Sequence, residues 1–166
     1  MAPSRWSSSP SPFSTAGLGL QLVLNLQDWR ARFPLTHDTA FGRVNFAYQQ
    51  EIALVDTLRE LSARAPSRYA FAYPIGASFY LYTDTVNPTR HQILIPGFNE
   101  PGQYEEVAAT LQAFQVPFVI LQIVPAKQSD PVRDVIRAQY KPVALSTKGE
   151  MPLYRLLRYK GTDRAG

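Results

Sequence analysis

This 166-residue chain contains no cysteine, and that absence excludes several kinds of site. Without thiols it can form no disulfide and no thiolate metal site, and it has no cysteine nucleophile. Histidine is also scarce, because the chain contains two. The two are not spaced to share one face of a helix, as in H-x-x-x-H, so the sequence predicts no metal site.

Glycine-rich phosphate loops are missing as well. No G-x-G-x-x-G or G-x-x-x-x-G-K motif follows a predicted strand, and Gly17, Gly19 and Gly42 are too dispersed to replace one. The usual backbone cradle of dinucleotide and nucleoside triphosphate binders is therefore absent from the sequence, and we predict no cofactor.

Long hydrophobic runs do not occur either. The apolar stretch LGLQLVLNL, residues 18–26, is well short of the roughly 20 apolar residues that a transmembrane helix requires. Leucine occupies positions 18, 20, 22, 24 and 26, and this period of two predicts a strand with one buried face.

The sequence also lacks a cluster of basic residues. The chain has 17 basic and 13 acidic residues, for a net charge of +4, and its Lys and Arg residues are scattered singly. A nucleic acid interface needs basic residues gathered on one face, so we predict no nucleic acid partner.

Composition divides the chain into three parts. Residues 1–27 are rich in Ser and Pro, contain no acidic residue, and are predicted to be a partly flexible leader with a short apolar segment. Residues 28–160 are predicted to form a single α/β domain, which is long enough to bury one core. Residues 161–166 are predicted to be a disordered tail.

The pattern from residue 45 onward alternates helical and strand periods. It predicts helices over residues 45–64, from Pro101 and from Pro131, a short helix or turn over 76–82, and strands over 68–74, 91–96 and 117–124. The runs PVALS and MPLYRLLR flank the loop Thr147–Glu150 and predict an antiparallel hairpin. The predicted fold class is α/β, with an open, mostly parallel sheet, helices on both faces and a C-terminal antiparallel hairpin.

Two loops border the predicted strand 91–96. If this strand lies parallel to residues 71–74, the loop before it lies at its amino end and the loop after it at its carboxyl end. In the first loop, Asn87, Pro88 and Thr89 are predicted to form a tight turn, and Arg90 to bond backbone carbonyls or a carboxylate. These four residues are interpreted as structural.

The second loop is the predicted ligand edge, because open α/β sheets usually bind ligands at the carboxyl ends of their strands. Asn99 and Glu100 are therefore ligand-binding candidates. Tyr80 and Tyr82 are added as exposed aromatic side chains beside the polar loop, whose hydroxyl groups need partners or water.

A hydrolase is an alternative hypothesis. Ser78, Asp84 and His91 are the residue types of a catalytic triad, but no G-x-S-x-G motif accompanies the serine. No residue is assigned a catalytic role on this basis.

The segment from Tyr73 to Leu121 resembles the soluble C-terminal domain of bacterial GT-C type glycosyltransferases, the multi-spanning enzymes that use polyprenyl-phosphate-linked sugars. The resemblance covers about residues 38–159. The elements that carry it are the aromatic strand ending at Pro74, the segment Phe79–Thr83, the quartet Asn87-Pro88-Thr89-Arg90, Pro96-Gly97-Phe98, the helix over 130–140, Pro152-Leu153-Tyr154, and the upstream Asp38-Thr39-x-x-Gly42-Arg43.

The resemblance implies a non-catalytic accessory or detached soluble domain of a membrane glycosyltransferase system, since the hydrophobic spans and acidic catalytic residues of that family are not in this chain. It implies a membrane-embedded glycosyltransferase portion as partner, and a polyprenyl-phosphate sugar or glycan as ligand. It also implies an extracytoplasmic location if the domain is attached to a membrane part. A free-standing module that binds a sugar or sugar phosphate is the first alternative to this function, and the small hydrolase is the second.

Overall fold

The computed structural model describes residues 15–95, 97–124, 130–145 and 153–161, with side chains from residue 23 onward. The helices are α1 (Thr15–Arg32), α2 (Gln49–Ser62), α3 (Ser78–Thr83), α4 (Pro101–Phe114) and α5 (Pro131–Gln139). The strands are β1 (Leu35–Thr39), β2 (Gly42–Phe46), β3 (Ala70–Tyr73), β4 (Phe118–Gln122), β5 (Tyr140–Pro142) and β6 (Tyr154–Tyr159).

The chain divides into two compact units, and the first ends at Pro34. Its helix α1 contradicts the strand predicted over residues 18–26. Alternating leucines over nine residues also place leucine at every fourth position, and leucine favours a helix. The predicted domain boundary at residue 28 falls inside α1, and the first 14 residues of the predicted leader lie outside the described residues. Among the described residues, no helix is long and apolar enough to cross a membrane.

The second unit begins at Leu35 with a two-stranded antiparallel sheet that the sequence did not predict. The turn between its strands is held by Thr39, whose hydroxyl accepts from the Phe41 amide at 3.2 Å and donates to the Gly42 carbonyl at 2.7 Å. Asp38 and Arg43 face each other across the strands, with 3.1 Å between carboxylate and guanidinium. Helix α2 therefore begins at Gln49, after β2, and not at Asn45 as predicted.

The main sheet has four strands in the order β3-β4-β6-β5. The pair β3–β4 is parallel, whereas β4–β6 and β6–β5 are antiparallel. The α/β class is confirmed, but the prediction of a mostly parallel sheet is wrong. The reason is β6, the second strand of the C-terminal hairpin, which lies beside β4 and runs antiparallel to it.

The predicted strand 91–96 is also absent from the sheet. Of residues 91–95, Leu94 is buried, while Gln92 and Ile93 are exposed. The Leu94 amide donates to the Pro74 carbonyl at 3.0 Å, and the segment forms no ladder with β3. Pro96 lies outside the described residues. A single backbone bond without alternating burial does not make a strand.

The sheet is covered on both faces. Helices α4 and α5 pack on one face against a cluster that contains Phe71, Tyr73, Val119 and Leu157. Helices α2 and α3 and the β1–β2 sheet pack on the other, against side chains that alternate with these along the same strands. The antiparallel direction of the C-terminal hairpin is confirmed, but β5 overlaps the predicted run PVALS only at Pro142 and begins at Tyr140, which was assigned to the preceding helix. The predicted loop, Thr147–Glu150, lies outside the described residues.

Candidate functional site at the carboxyl end of the parallel pair

The parallel strands β3 and β4 end at the same edge of the sheet, where Tyr73 lies beside Leu121. The chain that leaves β3 forms α3, returns to this end of the sheet at Leu94, whose amide donates to the Pro74 carbonyl, and then begins α4 at Pro101; α5 begins at Pro131, after β4. This is the part of an α/β sheet where ligands usually bind. The candidate site is therefore built from these strand ends and helix starts.

Asp130 ties the start of α5 to the end of β3. One carboxylate oxygen accepts from the amides of Val132, at 3.0 Å, and Arg133, at 3.2 Å. The other accepts from the Tyr73 hydroxyl and lies 3.3 Å from Nε of Arg133. A carboxylate has about four lone-pair directions, and these donors fill them. Asp130 is thus a structural tether between the end of β3 and the start of α5.

Arg133 is occupied in the same way. Its side chain is 15% exposed, and its Nη2 donates to the Val124 carbonyl at 3.3 Å. The guanidinium carbon also lies 5.8 Å from the centre of the Tyr73 ring, a cation–π distance. Burial, and next the hydrogen bond to Asp130, hold the pKa of Tyr73 far above its usual value. This cluster therefore keeps the strand end and the helix start rigid.

Tyr104 brings a further polar atom to the cluster from α4. Its hydroxyl is buried and has no hydrogen-bond partner within the described part of the chain. Burial, and secondarily the charge of Asp130, raise its pKa.

The loop 97–100 leads into α4 and contains the ligand candidates Asn99 and Glu100. The Asn99 side chain accepts from the Ile95 amide at 2.8 Å and donates to Oε1 of Gln103 at 3.1 Å. That same oxygen accepts from the Glu100 amide at 2.9 Å. Asn99 and Gln103 thus shape the loop, while the Glu100 side chain is exposed at its surface.

Exposed apolar side chains surround this edge. They form a set that we call the apolar rim: Ile75, Ile93, Phe98, Ile123 and Leu153. Phe98, which is 87% exposed, is the most exposed large apolar side chain in the described part of the chain.

Backbone hydrogen bonds hold two pairs of these residues near each other at the carboxyl end of the parallel pair. The bond from Leu94 to Pro74 places Ile75 near Ile93, and the bond from the Ile123 amide to the Leu153 carbonyl, 2.8 Å, joins the other pair. The Phe98 amide donates to the Ile95 carbonyl at 3.0 Å, which holds Phe98 in the loop directly after residues 91–95.

The quartet Asn87-Pro88-Thr89-Arg90 lies towards the other end of β3. The amide of Val86, which precedes it, donates to the Arg68 carbonyl at 2.9 Å, and its carbonyl accepts from the Ala70 amide at 3.1 Å. The Leu94 amide bonds the Pro74 carbonyl at the carboxyl end of β3. Residues 86–94 therefore run along the edge of β3 that faces away from β4. The two loops thus lie at opposite ends of β3, as the sequence predicted, although the expected second strand is missing.

Within the quartet, the Asn87 carboxamide closes a tight local network. Its oxygen accepts from the amide of Thr89 at 2.9 Å, and its nitrogen donates to the His91 carbonyl at 2.8 Å. The Thr89 hydroxyl also donates to that carbonyl at 3.0 Å. Arg90 extends to α4 and donates to the Glu106 carboxylate at 2.7 Å. All of these contacts are internal.

Tyr80 lies elsewhere than the sequence suggested. It is 9% exposed, and its hydroxyl accepts from the Ala72 amide at 2.8 Å on the free edge of β3. The expectation that it is exposed is wrong, because an aromatic hydroxyl can find its partner inside the core. Burial raises the pKa of Tyr80 to about 12. Tyr82 is half-buried, and its ring packs edge-on against Phe46 and Phe79.

The residues of the hydrolase hypothesis have other partners. The Asp84 carboxylate accepts from Arg68, and the Nε2 of His91 lies 3.3 Å from Glu106. Ser78 is exposed at the start of α3. The acid is thus engaged by a residue outside the trio, and Nε2 of His91 lies beside another carboxylate without a hydrogen bond to it.

Sequence reasoning missed the Tyr73–Asp130–Arg133 cluster and the apolar rim. Asp130 directly precedes the helix start predicted at Pro131, but its bond to Tyr73, 57 positions away, has no local signal. Comparisons of the chain with protein families, curated proteins and solved structures found no match. The molecule is a mixed α/β domain with an exposed apolar edge beside a rigid polar tether.

Proposed function

We propose that this chain is a non-catalytic accessory domain of a membrane glycosyltransferase system and that it contacts its partner through the apolar rim. The observation that carries the proposal is the exposure of Phe98 and its neighbours at the carboxyl end of the parallel pair. Large apolar side chains grouped on an otherwise well-packed surface are typical of a contact with another molecule. Because Asp130 ties Tyr73 at the end of β3 to the start of α5, binding at this edge would cost little conformational entropy.

The genetic context tests the accessory function. We expect the DNA upstream of Met1 in the same reading frame, or a neighbouring gene, to encode several hydrophobic segments. A promoter and ribosome-binding site directly before Met1, with no membrane glycosyltransferase gene nearby, would contradict the proposal.

Two matched variants test the surface. Phe98→Ser removes the centre of the apolar rim, whereas Phe41→Ser removes another exposed phenylalanine, 69% exposed, at the β1–β2 turn. Co-expression with the neighbouring membrane protein should give co-purification of the wild type and of Phe41→Ser, and loss of Phe98→Ser. Equal recovery of both variants would place the contact elsewhere.

A small-ligand module is the second candidate, and the position of the loop 97–100 at the carboxyl end of the parallel pair, beside the apolar rim, favours it. A ligand with an apolar chain and a polar head, such as a polyprenyl phosphate, would match the two parts of this edge. Thermal shift with polyprenyl phosphates and sugar phosphates should then stabilise the wild type and Phe41→Ser, but not Phe98→Ser. The absence of any shift would leave the accessory function alone.

A further inference from the structure

Helix α1 exposes several large apolar side chains. Val23, Leu24, Leu26 and Trp29 each have between 47% and 50% of their surface exposed. A helix of a globular protein normally turns its large apolar side chains towards a core. The exposed side chains of α1 therefore call for contact with another molecule.

Four apolar residues lie along one side of α1, and we call them the α1 stripe: Val23, Leu26, Trp29 and Phe33. Steps of three and four residues keep them on the same side of the helix. The Phe33 amide donates to the Trp29 carbonyl at 2.9 Å, so the helical spacing continues to Phe33, and the two rings lie 5.8 Å apart. Leu24 is two residues from Leu26 and lies on the opposite side, about 200° round the helix.

Charge is distributed unevenly round α1. Asp28, two residues from Leu26, lies on the side opposite the α1 stripe and pairs with Arg32 at 2.9 Å. Arg30 follows Leu26 by four residues, so it borders the stripe, and it forms no salt bridge within the described part of the chain. The sequence contains no acidic residue before Asp28. The stripe thus has an unpaired positive charge at its border and no negative charge on its own side.

We propose that the α1 stripe docks on an anionic lipid surface, with the helix lying in the plane of the interface. Helices of this kind bury leucine, tryptophan and phenylalanine at the boundary of the acyl chains and keep arginine among the headgroups. Tryptophan favours this boundary because its ring is apolar while its N–H needs a polar partner. Arg30, at the border of the stripe, would meet the lipid phosphates.

A second copy of the chain is the competing occupant, and it fits the α1 stripe less well. Coiled coils are typical of apolar patterns that continue over about three to four heptads, whereas α1 has 18 residues. Arg30 would also find no acidic residue on the stripe side of another α1, so self-association offers no charge complementarity. The α1 stripe belongs to the first compact unit and the apolar rim to the second, so this inference does not rest on the contact proposed for the rim.

Tryptophan fluorescence tests the docking. The chain has two tryptophans, and Trp6→Phe in the full chain leaves Trp29 as the single reporter. Vesicles of phosphatidylcholine mixed equally with phosphatidylglycerol should shift its emission to shorter wavelength, and high salt should weaken the binding because it screens Arg30 from the lipid phosphates. The absence of a shift with these vesicles, or equal affinity for vesicles of phosphatidylcholine alone, would overturn the proposal.

Two leucines of nearly equal exposure supply matched variants in the same background. Leu26→Gln, on the α1 stripe, should weaken vesicle binding by at least about tenfold, the effect of removing one buried leucine. Leu24→Gln, on the opposite side, should bind like the parent, and both variants keep a residue with good helix propensity. Arg30→Gln should weaken binding about fivefold, as for one basic residue at an anionic surface.

Equal losses for Leu24→Gln and Leu26→Gln would show that the stripe is not the docking surface and would refute the proposal. Size-exclusion chromatography with light scattering, without vesicles, tests the competing occupant. We expect the same mass for the parent and for Leu26→Gln. A dimer that Leu26→Gln converts to a monomer would assign the stripe to a second copy and would also refute docking on lipid.

Discussion

The tether at Asp130 leads to the most direct prediction about the stability of this protein. The carboxylate binds two amides of α5, the Tyr73 hydroxyl and Nε of Arg133, and its side chain is 14% exposed. Asp130→Ala removes a helix cap, which costs about 1 kcal/mol, and leaves the buried Tyr73 hydroxyl without its partner, which costs about 1–3 kcal/mol. We expect the free energy of unfolding to fall by about 2–4 kcal/mol.

Tyr73→Phe perturbs the same tether from the other side. It deletes one hydrogen bond to a charged acceptor, worth about 1.5–3 kcal/mol, but leaves Asp130 with three donors and keeps the ring beneath Arg133. Its loss of stability should therefore be smaller than that of Asp130→Ala. The reverse order would mean that the helix cap contributes little.

Urea unfolding followed by far-UV circular dichroism measures both variants. Asp134→Ala is the matched control, because Asp134 lies in the same helix and pairs at 3.2 Å with Arg137, both being largely exposed. An exposed pair of this kind contributes at most about 1 kcal/mol. If Asp130→Ala is no more destabilising than Asp134→Ala, the reasoning about the buried tether is refuted.

Three further predictions concern other parts of the domain. Gly76→Ala should lower the free energy of unfolding by more than about 1 kcal/mol, because Gly76 has φ +153° and an added Cβ would lie 2.9 Å from that of Ala72. Gly102→Ala, in the open first turn of α4, should not destabilise the fold, and equal urea midpoints for the two variants would contradict the prediction. Gln50→Leu should lower the free energy of unfolding by about 1–3 kcal/mol, since the buried Gln50 side chain accepts from the Leu153 amide at 2.7 Å and donates to the Tyr154 carbonyl at 3.2 Å. An unchanged urea midpoint would argue against this link between α2 and β6. The free energy of unfolding should fall as the pH rises above about 10, because tyrosines ionise there in the unfolded chain, while burial raises the pKa of Tyr80 in the folded chain to about 12. Urea midpoints that stay constant between pH 9 and 11 would show that folding does not suppress tyrosine ionisation.

The sequence by itself determined the local elements with strong signals. Pro101 and Pro131 mark the starts of α4 and α5, and Asp130 is the helix cap that its position before a proline predicts. The nearly continuous apolar run around β4 is a buried strand with helices on both faces. These features depend on neighbours in the chain, so a local pattern is sufficient to specify them.

Tertiary structure decided the direction of pairing, the fate of ambiguous segments and the candidate site. Residues 91–95 resemble a strand in sequence but form no ladder with β3. The antiparallel insertion of β6 beside β4, the bond from Tyr73 to Asp130 and the grouping of the apolar rim join residues far apart in sequence. Such contacts have no local signature, because they form only when the whole core has chosen one packing.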